Sequence, residues 1–208
     1  MDNPTGPFRL ILWPTVITAF VSIARLVGEL TGLVPPTSGG MLHPLGITWC
    51  VFVFGAWMGW RLSRSGSSPR MPDARGFTAV MMLVLVGASA WQFGTVGDKP
   101  DFNKLREVVL VLSAVASTLA IFALFAWPRL ALAMLFYAIP ARALVLAFTW
   151  LAKTQEWKTH YTLFGPTGLE TELGDTLNAA ALAQFGFWVP FTVVGGTFAG
   201  AMLSRRAK

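Results

Sequence analysis

"FRLILWPTVITAFVSIARLVGELTGLV", residues 8–34, is almost wholly apolar, yet it holds Arg25 and Glu29 towards its end. A run of this length is what a helix needs to cross a hydrocarbon layer of roughly 30 Å at about 1.5 Å per residue. It is too long for the apolar core of a cleavable signal and it carries charges, so it is expected to remain as a first membrane span. Arg25 and Glu29 stand four residues apart, share one helix face and are expected to pair along it.

Composition extends this reading to the whole chain. Hydrophobic residues make up 54% of the 208 positions and charged residues only 12%. A soluble domain has about a quarter of its residues charged, so the surface here is built for an apolar solvent. Five further apolar stretches have spanning length: 44–62, 77–96, 108–127, 130–151 and 182–203. The expected fold is therefore an all-α integral membrane bundle of six helices, forming a single polytopic domain over residues 1–208.

The connectors are punctuated as loops. "VPPTSGG" (34–40) is rich in turn residues, "SRSGSSPRMPDARG" (63–76) is polar and basic, and "GDKPDFNK" (97–104) is charged. "WPR" (127–129) reads as a tight joint in which proline opens the next helix. Pro140 and Pro190 fall inside spans and are expected to kink them, since each lacks the N–H that would bond four residues back. The segment 153–178 is the longest outer loop. Its Leu169, Leu173 and Leu177 alternate with acidic residues and suggest a short interfacial helix.

Orientation follows from lysine and arginine. With the N-terminus inside, Arg9, Arg61, Arg64, Arg70, Arg75, Arg129, Arg205, Arg206 and Lys208 lie on the inner side. Lys99, Lys104, Arg106, Lys153 and Lys158 lie outside, a bias of nine to five. Both termini are expected to be cytoplasmic, in the cell membrane (the inner membrane in a Gram-negative source). The net charge of +6 thus flanks spans on one side, where it fixes topology and meets anionic lipid, and it does not indicate nucleic acid. Trp13, Trp60 and Trp127 near inner helix ends, and Trp91, Trp150 and Trp157 near outer ones, fit interfacial belts. Trp49, Trp57 and Trp188 fall deeper.

Lipid tails are as apolar as leucine, so helices associate in a bilayer through close packing of small residues. Gly28/Gly32, Gly55/Gly59 and Gly196/Gly200 each form a G-x-x-x-G step. Intramolecular packing is the main expectation for them, and a homo-oligomer face the other.

The functional candidates are the charges within the span. Besides Arg25 and Glu29 there is Arg142, near the middle of the fifth span and just after Pro140. Two arginines and one carboxylate leave an excess positive charge that a second acid, such as Glu107 at the start of the fourth span, or a bound anion would balance. A charged side chain at that depth costs at least about 2.5–3.5 kcal/mol, which makes it a functional candidate by default. His160, Tyr161 and His43 are placed at the mouth of any cavity there. The partners implied are the bilayer and a small anionic solute or lipid headgroup.

Signatures of other chemistry are lacking. There is no H-E-x-x-H, G-x-S-x-G or phosphate-binding glycine loop, and no aspartate lies within a span. One cysteine, Cys50, and two histidines do not define a metal site, and neither cofactor nor enzymatic activity is expected. Two functions lead, binding or transport of a small anionic or amphipathic solute and a non-catalytic structural or assembly subunit. A membrane enzyme acting on lipids is the third, and would need a nucleophile or metal that these motifs do not supply.

Overall fold

A computed structural model of the chain describes residues 7–37, 43–96, 102–163 and 171–204. Every regular element among them is helical: α1 (Pro7–Leu30), α2 (Thr48–Arg64), α3 (Ala74–Gly94), α4 (Phe102–Ala126), α5 (Pro128–Thr154), α6 (Leu173–Ala181) and α7 (Val189–Leu203). A π-helical turn, Leu182–Trp188, joins α6 to α7, so that Leu173–Leu203 runs as one helical span. This span, α3, α5, and the Arg9–Leu30 and Asn103–Ala126 parts of α1 and α4 are long and apolar enough to cross a membrane. With 17 residues, α2 stands at the short limit of a spanning helix.

Helix ends follow local chemistry. Three helices close on a residue in the left-handed region: Gly32 after α1 (φ +75), Gly66 after α2 (φ +82) and Glu156 after α5 (φ 53). Beyond α5 the Trp157 N–H reaches back to the Ala152 carbonyl at 2.8 Å, and beyond α2 the Ser67 N–H reaches Leu62 at 2.9 Å. Both are the six-to-one bond of a Schellman motif, which satisfies carbonyls left open at a helix end. Asp73 caps α3 by accepting from the Gly76 N–H at 3.1 Å, and Pro128 opens α5 as the "WPR" joint requires.

Tie points at the two ends fix an up-and-down order. At one end Glu29, closing α1, meets His160 just beyond α5. At the other, Arg75 Nε donates to the Ala201 carbonyl at 3.2 Å and its Nη2 to the Ser204 carbonyl, capping α7 from α3. There too the Arg70 N–H bonds the Ala126 carbonyl and Trp127 Nε1 bonds Ser67 Oγ at 3.3 Å. Trp127 is thus a core residue, fully buried, and not part of an interfacial belt. Trp13, Trp91 and Trp150 are exposed, as belt positions require.

The hub is α7, buried along nearly its whole length and packed on α2, α3, α4 and α5. Its glycines are the reason. A Cβ on Gly55 would fall onto the backbone of Gly196, and one on Gly59 onto that of Gly200. The second and third G-x-x-x-G steps therefore face each other within the chain, with Met134 and Leu130 of α5 closing over the same stripe. Gly28/Gly32 behaves differently: α1 stops at Leu30, Gly32 is a helix terminator, and Val34 folds back over Gly28. That step is an end signal and not a packing face.

Pro140 lies within an unbroken α5, and Pro190 follows the π turn, where the Val189 N–H bonds the Gln184 carbonyl five residues back. Residues 173–181 lead straight into the last span; Leu169 and Glu170 lie outside the described residues. Side chains such as Phe20 on α1, Leu83 on α3 and Phe125 on α4 project outward, as suits contact with acyl chains.

Candidate functional site

The buried charges of the long apolar helices fall into two separate groups. The first is built around Glu29 in the last turn of α1. Its side chain is 0% exposed and accepts three hydrogen bonds. Arg25 Nε donates to Oε1 at 2.9 Å from one turn back on the same helix. The His160 backbone N–H donates to Oε2 at 2.9 Å, and His160 Nδ1 to the same oxygen at 2.8 Å. A carboxylate only accepts, so Nδ1 carries the hydrogen of this bond.

His160 is held there by its own loop. After the Schellman turn at Glu156, Thr162 Oγ1 donates to the Trp157 carbonyl at 2.7 Å and accepts from the Thr159 N–H at 3.1 Å. The His160 ring lies against Tyr161 with centroids 3.8 Å apart, and Tyr161 meets Phe148 edge-on at 5.6 Å. Tyr161 is 4% exposed and packs with Leu26 and Ala152. It is a wedge between α1 and α5 where a cavity mouth was expected. Burial pushes the His160 imidazole below its ordinary value of 6.5, against the opposing pull of the Glu29 hydrogen bond, and pushes the Tyr161 phenol above 10. His43 is close enough to act on His160 electrostatically, and its Nδ1 accepts from the Leu45 N–H at 3.1 Å.

The second group is built around Arg142, which is 5% exposed in the middle of α5. Its guanidinium carbon sits 4.9 Å from the centre of the Trp188 ring, at the end of the π turn. Nη2 reaches Thr192 Oγ1 on α7 at 3.5 Å, the long limit of a hydrogen bond, and Nε has no acceptor among the described residues. The Thr192 hydroxyl itself donates to the Trp188 carbonyl at 2.7 Å. The ionisable groups near enough to act on the guanidinium are Tyr137 and Cys50. A phenol and a thiol are neutral at pH 7, so neither offsets the charge. Tyr137 is engaged by Thr18 of α1 at 2.7 Å.

Glu107 does not serve as the expected counter-charge. Its side chain is 65% exposed and pairs with Lys104 Nζ at 3.2 Å on the surface of α4. Arg25 and Glu29 are together as expected, and Arg142 stands apart from them with its own surroundings.

Thr192, and the role of Trp188 as the platform for Arg142, were not legible beforehand. Residues 182–192 contain an aromatic-rich run around Pro190, and that run was the available signal. Comparison of the chain with protein families, characterised proteins and solved structures finds no match.

Proposed function

We propose that the chain is a six-span protein of the cell membrane, both ends cytoplasmic, that binds or moves a small anionic or amphipathic solute at Arg142. One observation carries this: a guanidinium buried at mid-span whose Nε–H meets no acceptor, and which has no carboxylate paired with it, among the described residues. A cation stacked on an indole gains about 0.5–2 kcal/mol, less than the cost of at least about 2.5–3.5 kcal/mol for a charge at that depth. An unmatched buried donor adds about 1–3 kcal/mol more. A bound anion removes both deficits at once.

The test is ligand-dependent melting of the purified protein. Carboxylates of graded size should raise the melting temperature of the wild type and leave Arg142→Leu unmoved. A wild type that responds to none of them removes the proposal.

A second reading, a structural or assembly subunit, draws on the Glu29 group. There Glu29 pairs with Arg25 Nε and with the His160 backbone and ring, and ties α1 to the segment after α5, while Arg25 Nη2 is a buried donor with no partner among the described residues. Under that reading Arg142→Leu and Glu29→Gln would lower stability alike, with no ligand effect.

A further inference from the structure

We propose that the ligand of Arg142 is a lipid-soluble monoanion, a carboxylate on an extended apolar body. It reaches the guanidinium sideways from the acyl chains and not from the water at the His160 end. This rests on the assignment of Arg142 as an anion site and adds to it the class of ligand and the route.

Charge limits the head group. The site offers one guanidinium, and the ionisable groups around it are neutral at pH 7, so one negative charge is balanced and a dianion would leave an excess in the apolar interior. Geometry limits it further. The guanidinium carbon lies over the Trp188 ring, 4.9 Å from its centre, so the indole covers the group on one side. Nε and Nη2 share the edge that grips a carboxylate with two parallel hydrogen bonds. Here Nε is unengaged and Nη2 is held only at 3.5 Å. A planar two-oxygen head matches both donors.

The route follows from which sides are closed. Towards the His160 end, Tyr161 is wedged against Phe148, Leu26 and Ala152, and the Glu29–His160 bonds tie the loop down over it. Towards the other end lies the main core, with Met134 and Leu130 fully buried under the α7 glycines. On the flank at the level of Arg142 the cover is thinner. Trp188 and Phe52 are only half-buried, and Phe185, one turn along the π segment, is 39% exposed. Trp188 is the midpoint of the Leu173–Leu203 span, so what meets these rings is hydrocarbon. The apolar body of an amphiphile can lie against them while its head meets Arg142.

The experiment uses the full chain in lipid nanodiscs with a diazirine-bearing long-chain carboxylate as the probe. Labelling is expected within 182–192 or 138–146. Excess oleate should displace it by at least tenfold; butyrate and a long-chain amine of equal length should not. Arg142→Gln should lose the labelling by a similar factor, and Glu107→Gln on the exposed face of α4 should keep it. The amine arm on the wild type is decisive even where Arg142→Gln fails to fold: displacement by the amine equal to that by oleate overturns the proposal. Butyrate protecting as well as oleate would leave Arg142 an anion site supplied from water and sink only the sideways route. Neither carboxylate competing would sink both.

Discussion

Arg25 and Arg142 are both buried guanidiniums in helices long and apolar enough to span a membrane, and they differ in what surrounds them. Arg25 has a carboxylate one helical turn away, and that carboxylate also holds the backbone and the ring of His160. Arg142 has an indole face, a distant hydroxyl and an idle Nε–H. The first is a clasp between α1 and the segment after α5, in which Arg25 Nη2 is also a buried donor without a partner among the described residues. The second is an open valence in the packed interior. Burial does not distinguish them; an acid paired with the guanidinium, among the described residues, does.

The largest expected effect breaks the clasp. Glu29→Ala leaves Arg25 buried without its carboxylate and frees His160, and removal of one member of a buried pair costs about 3–5 kcal/mol. Thermal unfolding in detergent should show a large fall, and Arg25→Met added to Glu29→Ala should recover part of it. A double variant no better than the single one would mean that the pair is not what holds α1.

A smaller loss should come from Gly55→Ala, and it should affect the other region first. Its Cβ would meet the Gly196 backbone and force α2 from α7, and overpacking of this kind costs about 1–3 kcal/mol. Since Thr192 and Trp188 belong to that side of the bundle, probe labelling at Arg142 should fall while hydrogen exchange at the His160 N–H stays slow. Exchange that quickens there first would join the two regions into one unit.

Acid should sharpen the comparison in the opposite sense. His160 is held below its ordinary pKa of 6.5, so the unfolded chain binds the extra proton. The associated stability is fully present above about pH 6.5 and is lost as pH falls below it. Melting temperature should drop from pH 7.5 to pH 5.5, and His160→Asn, whose amide can still donate to Glu29, should flatten the profile. An unchanged slope in His160→Asn would remove the imidazole from the clasp. The smallest effect is expected at Glu156→Gly, which relieves a left-handed non-glycine residue (φ 53) and should stabilise the clasp loop by about 1 kcal/mol. A melting temperature that does not rise would show the turn to be unstrained.

Much of this molecule was legible from residue patterns because lipid imposes simple rules. Helix positions followed from apolar length, and the Arg25–Glu29 pair from four-residue spacing, since both are properties of a single helix. The facing of Gly55/Gly59 on Gly196/Gly200 was legible as a type of contact, although not which stripe met which. What stayed hidden depends on tertiary placement. Glu107 has an acid's charge but lies on the outward face of α4. Gly28/Gly32 has the motif's spacing, yet α1 ends between the two glycines. Trp127 sits at a helix end but is drawn into the core by Ser67. The π turn that sets Trp188 against Arg142 has no local signature beyond a nearby proline, because it arises from how α7 docks.

The most direct measurement compares the melting temperature of ligand-free Arg142→Leu with that of the wild type. An unmatched buried charge replaced by a leucine should leave stability unchanged or raise it, and the response to a long-chain carboxylate should vanish. A fall as deep as that of Glu29→Ala would show that Arg142 already has its partner inside the bundle, and the two arginines would be equivalent structural ties.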